Sequence, residues 1–156
     1  MEINKYIDHT LLKATATKAQ IEKLCNEAKQ YGFYAVCVNG CYVEYAKKQL
    51  ENSKVKVAAV IGFPLGAMST VTKVFEALYC IKNGASEIDM VINIGKLLDG
   101  NYSYVENEIQ EIKNAIDDHI LKVIFENCYL SKEQIKKVSQ LAINAGADFV
   151  KTSTGF

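Results

Sequence analysis

Gly146-Ala147-Asp148-Phe149-Val150-Lys151 has two echoes earlier in the chain, Gly32-Phe33-Tyr34-Ala35-Val36-Cys37 and Gly84-Ala85-Ser86-Glu87-Ile88-Asp89. In each, a glycine stands where a helix gives way to an apolar run, and glycine is the residue that accepts the left-handed helix stop. Cys37, Asp89 and Lys151 share one offset from their glycines. Alternate strands of a closed β/α barrel send side chains to common interior layers, so this register predicts a thiol, an acid and an amine facing one cavity.

Outward from the repeat, short apolar runs alternate with longer amphipathic ones, the pattern of a parallel β/α sheet. The predicted strands are Tyr6 to His9, Phe33 to Val38, Val55 to Ile61, Glu87 to Ile92, Leu121 to Glu126 and Asp148 to Ser153. Their Val and Ile content suits strands covered on both faces. Between them, apolar spacings of three and four predict helices. Their buried faces should hold Ile21, Leu24, Cys25 and Ala28; Val71, Val74, Phe75 and Leu78; Val105, Ile109, Ile112 and Ile116; and Ile135, Val138, Ala142 and Ala145. A shorter helix is expected around Tyr42 to Leu50. Thr17 with Gln20, and Ser131 with Gln134, fit the capping box. No linker interrupts the alternation, and the one proline, Pro64, sits in the loop after the third strand. A single α/β domain of the TIM-barrel type over residues 1–156 is the expectation.

Composition narrows the function. The 156 residues are 49% hydrophobic and 23% charged with zero net charge, which fits a globular domain and gives no footprint for nucleic acid or an anionic membrane. No run approaches the roughly 20 apolar residues of a membrane span, and the start Met1-Glu2-Ile3-Asn4-Lys5 lacks the apolar core of a secretory signal. A cytoplasmic protein with a small neutral or anionic partner is expected. Five cysteines without a CxxC pair argue for reduced thiols, and Cys37-x-x-x-Cys41 is a weak metal motif. Two histidines, far apart, leave little for a metal centre, so no metal is expected.

Lys151, among Phe149, Val150 and Thr152, is costly to bury as a cation, and that cost would lower its pKa toward a free amine. Such an amine attacks a carbonyl and forms a Schiff base. The competing reading is a strand-end lysine snorkelling to solvent. Asp89, between Ile88 and Met90, is either a proton relay or a buried partner for a lysine. On the fifth predicted strand, alternation gives Lys122, Ile124 and Glu126 one face, bringing a second cation and acid. Asp8 ends the first predicted strand, where β/α proteins place working groups, or it caps the next turn. His9 points opposite to Asp8 and reads as structural. Cys37 can line the cavity, with no histidine placed to activate it.

The chain resembles the deoxyribose-phosphate aldolase family, class I aldolases on a TIM barrel. The resemblance is carried by Ile7-Asp8-His9-Thr10-Leu11-Leu12-Lys13, Ala35-Val36-Cys37-Val38-Asn39, Val60-Ile61-Gly62-Phe63-Pro64-Leu65-Gly66 with Lys73, Glu76 and Ala77 beyond it, Glu87-Ile88-Asp89-Met90-Val91-Ile92-Asn93, Lys122-Val123-Ile124-Phe125-Glu126 and Ala147 to Phe156. It implies Lys151 as Schiff-base lysine, Asp89 as proton relay and Lys122 as a supporting member. Asp8, Cys37 and Thr152 are the candidate substrate-binding residues. The implied reaction is reversible cleavage of 2-deoxy-D-ribose 5-phosphate to acetaldehyde and D-glyceraldehyde 3-phosphate, in deoxyribonucleotide catabolism and with no cofactor. Gly40 and Asn127 depart from the family's usual proline and threonine.

The family pattern runs through two further strands beyond Phe156. A (β/α)₈ barrel generally needs at least about 200 residues, and six of eight units are present, so closure is expected to require association or more chain. A homo-oligomer is the expected state. The alternative is a catalytically impaired partial barrel that self-associates through open sheet edges.

Overall fold

A computed structural model describes residues 2–156. Strands and helices alternate as expected: β1 (Asp8–Leu11), α1 (Lys18–Tyr31), β2 (Ala35–Asn39), α2 (Val43–Gln49), β3 (Lys56–Ile61), α3 (Thr70–Lys82), β4 (Glu87–Val91), α4 (Ile94–Leu98), α5 (Tyr102–Ile116), β5 (Ile120–Ile124), α6 (Lys132–Asn144) and β6 (Phe149–Lys151). The strands are parallel, and their order in the sheet is their order in the chain. This is the TIM-barrel-type β/α repeat. α4 is an addition to the sequence reading. Residues group into two compact units, one formed by the chain up to Val60 with Tyr79–Glu87, the other by Ile61–Leu78 with Ile88–Phe156.

In the first unit, β1 pairs with β2 from Asp8↔Ala35 to Leu11↔Val38, and β2 pairs with β3 through Cys37↔Ala58. Ala35 to Val38 are all buried, as a strand covered on both faces requires. The Thr17 capping box forms, and Gly32 ends α1 at φ 63° with its N–H donating to Ala28 O. Ile21, Leu24, Cys25 and Ala28 are the buried face, as their spacing predicts. Each strand of this unit begins one or two residues later than its apolar run, and β1 is displaced as a whole. Residues Ile3–Tyr6 form a 3-10 turn, and Ile7 O accepts from both Tyr34 N and Ala35 N, so β1 starts at Asp8 instead of ending near it. His9 is structural: its Nε2 lies 2.7 Å from Glu27 Oε2, and its ring packs 5.1 Å from Phe33. The hydrogen bond from His9 holds the Glu27 carboxyl below its usual range.

In the second unit, β5 and β6 pair from Lys122↔Phe149 to Ile124↔Lys151. Asp148 just precedes β6, and its carboxylate accepts from Leu121 N at 2.8 Å and Lys113 Nζ at 2.9 Å. Burial pushes this carboxyl up, but the two bonds outweigh it and hold it low. The Ser131 capping box forms, and Val105, Ile109, Ile112 and Ile116 are buried on α5. α3 corrects its predicted face. Val71 and Phe75 are 76% and 72% exposed and Leu78 is exposed too, while Lys73 and Ala77 are fully buried. Apolar spacing misplaced this face because two polar side chains of α3 have inward partners: Lys73 donates to Val91 O, and Glu76 accepts from Gly62 N.

The loop after β3 presses against the chain that leaves β4. Gly66 adopts φ 66°, and a Cβ there would lie 1.8 Å from Ile92 O. Gly66→Ala must therefore combine a left-handed strain with a backbone clash, and we expect a loss of at least about 2 kcal/mol in chemical denaturation. An unchanged midpoint would show that the loop does not approach β4 so closely.

Candidate active site

Four candidate residues occupy the third position of their strands: Cys37 on β2, Asp89 on β4, Lys122 on β5 and Lys151 on β6. Cys37, Asp89 and Lys151 thus keep matching positions within their strands, and the β5–β6 pairing sets Lys151 opposite Ile124, two residues beyond Lys122. Within the second unit three of them meet. Asp89 is fully buried; its Oδ1 lies 3.4 Å from Lys122 Nζ, and its Oδ2 accepts a hydrogen bond from Lys151 Nζ. A carboxylate withdrawn from water needs such compensation. The two lysines differ in access: the Lys122 side chain is 9% exposed and that of Lys151 33%. Lys151 is less enclosed than its apolar flanks suggest, because Phe149 and Val150 are themselves 57% and 51% exposed.

Backbone bonds from the chain that leaves β5 hold Lys151 and Thr152. Phe125 N donates to Lys151 O at 3.0 Å, and Asn127 N donates to Thr152 O at 2.8 Å. Between those donors, Glu126 adopts φ 57°, a left-handed conformation that disfavours any residue but glycine. Its buried carboxylate accepts from Thr154 N at 3.2 Å and from the Thr154 hydroxyl. The strained residue thereby clamps the segment that follows the amine. Strand alternation placed Glu126 on the Lys122 face, but β5 ends at Ile124, and Glu126 turns to Thr154 instead. Glu126 and Thr154 also border a cavity of about 170 Å³ lined by Pro64, Leu65, Ile94 and Phe156.

Thr152 is exposed immediately after Lys151. Asp8, half-buried at the start of β1, and Cys37, buried in β2, belong to the first unit.

Sequence reasoning missed one polar cluster. Lys73 Nζ and Glu108 Oε2 are 2.8 Å apart with both side chains fully buried. Removal from water pushes the Lys73 ammonium down and the Glu108 carboxyl up, and their attraction pulls each back part of the way. The signal for Glu108 was an acid inside the apolar stripe Val105, Ile109, Ile112 and Ile116.

The profile of the DeoC/LacD aldolases matches residues 3–156. The chain belongs to the DeoC/LacD aldolase family. Aldolases are carbon–carbon lyases, so this DeoC/LacD chain is placed among enzymes. It is 59% identical over 156 residues to a deoxyribose-phosphate aldolase of Finegoldia magna, covering all of this chain and 73% of that protein. A solved structure from Coccidioides immitis superposes at TM-score 0.98 with 47% identity, covering 99% of this chain and 61% of that one. A tetrameric deoxyribose phosphate aldolase from Aeropyrum pernix superposes at 0.91 with 32% identity, covering 98% of this chain and 64% of that one. The chain thus spans under two thirds of both solved chains. Among the described residues no helix is long and apolar enough to cross a membrane.

The thiols give a direct check on burial. Cys41 and Cys128 are exposed, Cys25, Cys37 and Cys80 are buried, and burial pushes the Cys25 thiol up to about 11. Because the thiolate is the nucleophile, we expect a maleimide at mildly alkaline pH to label Cys41 and Cys128 rapidly, with the other three released on denaturation. Rapid labelling of Cys37 in the native protein would contradict the packing of β2.

Proposed function

We propose that the chain is a Schiff-base aldolase that cleaves 2-deoxy-D-ribose 5-phosphate reversibly to acetaldehyde and D-glyceraldehyde 3-phosphate, in deoxyribonucleotide breakdown. The observation that carries this reading is the contact of the accessible Lys151 amine with the buried Asp89 carboxylate, beside Lys122. An amine attacks only after giving up its proton, and Asp89 touches it and can receive one.

In the cleavage direction, Lys151 Nζ bonds to the aldehyde carbon of the open-chain sugar. The carbinolamine loses its oxygen as water, with protons moved by Asp89, and leaves a protonated imine. Loss of the C3 hydroxyl proton then converts C3 into the aldehyde of D-glyceraldehyde 3-phosphate. The electrons of the C2–C3 bond flow to the imine and leave an enamine on Lys151. Protonation of that enamine and hydrolysis release acetaldehyde and restore the amine. Lys122 shares the Asp89 carboxylate and is assigned a supporting role. Thr152, exposed beside Lys151, is the substrate contact proposed within this unit.

Borohydride reduction in the presence of acetaldehyde tests the covalent step. We expect one ethyl group added per chain, mapped to Lys151 and lost in Lys151→Leu. Asp89→Asn should slow cleavage by roughly 10²- to 10⁴-fold, the range of a positioned acid or base. An adduct on another lysine, or none, would sink the assignment.

Association of copies belongs to the same reading. The Aeropyrum pernix relative is described as tetrameric, and Val71, Phe75, Phe149 and Val150 are exposed apolar side chains here. Light scattering should give a mass above that of one chain, and a stable monomer would remove this part of the reading.

A further inference from the structure

The Lys73–Glu108 pair takes no part in the proposed bond-making, yet both its charges grip the chain that leaves β4. Lys73 Nζ donates to Val91 O at 2.8 Å, and Glu108 Oε2, 2.8 Å from that same nitrogen, accepts from Asn93 N at 3.2 Å. The peptide units on either side of Ile92 are therefore bonded to opposite charges of one buried pair. Thr70 Oγ1 closes the outer side of Glu108 at 3.4 Å, and Gly62 leaves the room through which the Lys73 stem passes, since a Cβ there would lie 2.9 Å from Lys73 Cε.

We propose that Lys73 and Glu108 are positioning residues that fix the C-terminal end of β4, and through it set the placement of the Asp89 carboxylate. Asp89 lies two residues before Val91 on the same strand, and its oxygens must reach lysines carried by β5 and β6. Productive sites tolerate displacements of only about 0.5 Å, and a misplacement of about 1 Å can cost 10²-fold in rate. Stability alone accounts poorly for such a pair. Two ions without water are expensive, and apolar residues of similar volume commonly replace them with no loss of stability. Apolar side chains could not, however, bond to Val91 O and Asn93 N.

The mechanism in which this placement matters rests on the proposed Schiff-base function, so the test reads Asp89 first by a signal that needs no turnover. Two variants matched in charge are compared with the unaltered protein: Lys73→Met with Glu108→Leu, which loses both backbone bonds, and Lys73→Met with Glu108→Gln, which keeps an acceptor for Asn93 N. The carboxyl carbon of Asp89 is titrated by NMR and folding is followed by circular dichroism. We expect both variants to fold. The Met/Leu protein should shift the Asp89 midpoint by at least about half a pH unit, and the Met/Gln protein by clearly less. In cleavage assays kcat of the Met/Leu protein should fall by about tenfold or more, with KM within about twofold.

Equal Asp89 titrations in the two variants, or one identical to the unaltered protein in a folded Met/Leu variant, would overturn the proposal. If the Met/Leu protein fails to fold, the Met/Gln protein decides against the unaltered chain: it lacks the Val91 bond and must still move the Asp89 midpoint. An unaltered protein that forms no Lys151 adduct refutes the aldolase reading and leaves the titration comparison intact.

Discussion

Asp89 is a carboxylate with no exposed surface, and that fact constrains much of the second unit. An ion without water costs several kcal/mol even after relaxation, so a buried carboxylate persists only where cations and donors are delivered to it accurately. Here the cations come from the strands that follow, Lys122 from β5 and Lys151 from β6. Both stand at the third position of their strands, as Asp89 does in β4. A slip of one residue in β5 or β6 would turn its lysine to the opposite face and take one cation from the acid, and a slip in β4 would take the acid from both. The charge cluster thus specifies register as well as chemistry.

Around that cluster the irregular backbone is held by polar side chains more than by apolar packing. Glu126 is kept left-handed at the end of β5 because its carboxylate has the Thr154 amide and hydroxyl to bind. Gly66 lets the loop after β3 come against Ile92 O where a side chain could not fit. Strain of this kind, about 1–3 kcal/mol at a residue such as Glu126, survives only where its surroundings over-determine the conformation. Glu126 and Gly66 lie beyond the ends of β5 and β3, each against a segment that follows Lys151 or Asp89, where small displacements matter most.

Local rules made most of the fold legible. The capping boxes at Thr17 and Ser131 formed as read, because a cap depends on residues three apart and on nothing distant. The buried faces of α1 and α5 followed apolar spacing, and the glycine repeat placed Asp89 and Lys151 in matching strand positions. α3 was misread because its buried face carries Lys73 and half-buried Glu76, whose partners are a strand carbonyl, a loop amide and an acid on another helix. Such partners are remote in sequence and carry no period. The start of β1 shifted for a similar reason, since Ile7 O is claimed by amides from just before β2. Glu126 followed alternation only as far as β5 extends.

The second unit holds two amine–carboxylate clusters, and access separates their chemistry. Lys73 and Glu108 are both sealed, so no carbonyl compound can approach the Lys73 amine without local unfolding, and its donors are spent on Glu108 and Val91. Lys151 pairs with an equally buried acid, yet one third of its own side chain meets solvent. A nucleophile must be reachable while its proton acceptor gains from being dry, because a carboxylate shielded from water acts more strongly on what touches it. The sealed pair combines burial with two backbone anchors, which is the geometry of a support. The half-open pair combines a dry acid with a reachable amine, and this asymmetry is the reason the proposed reacting lysine is Lys151 and not Lys73.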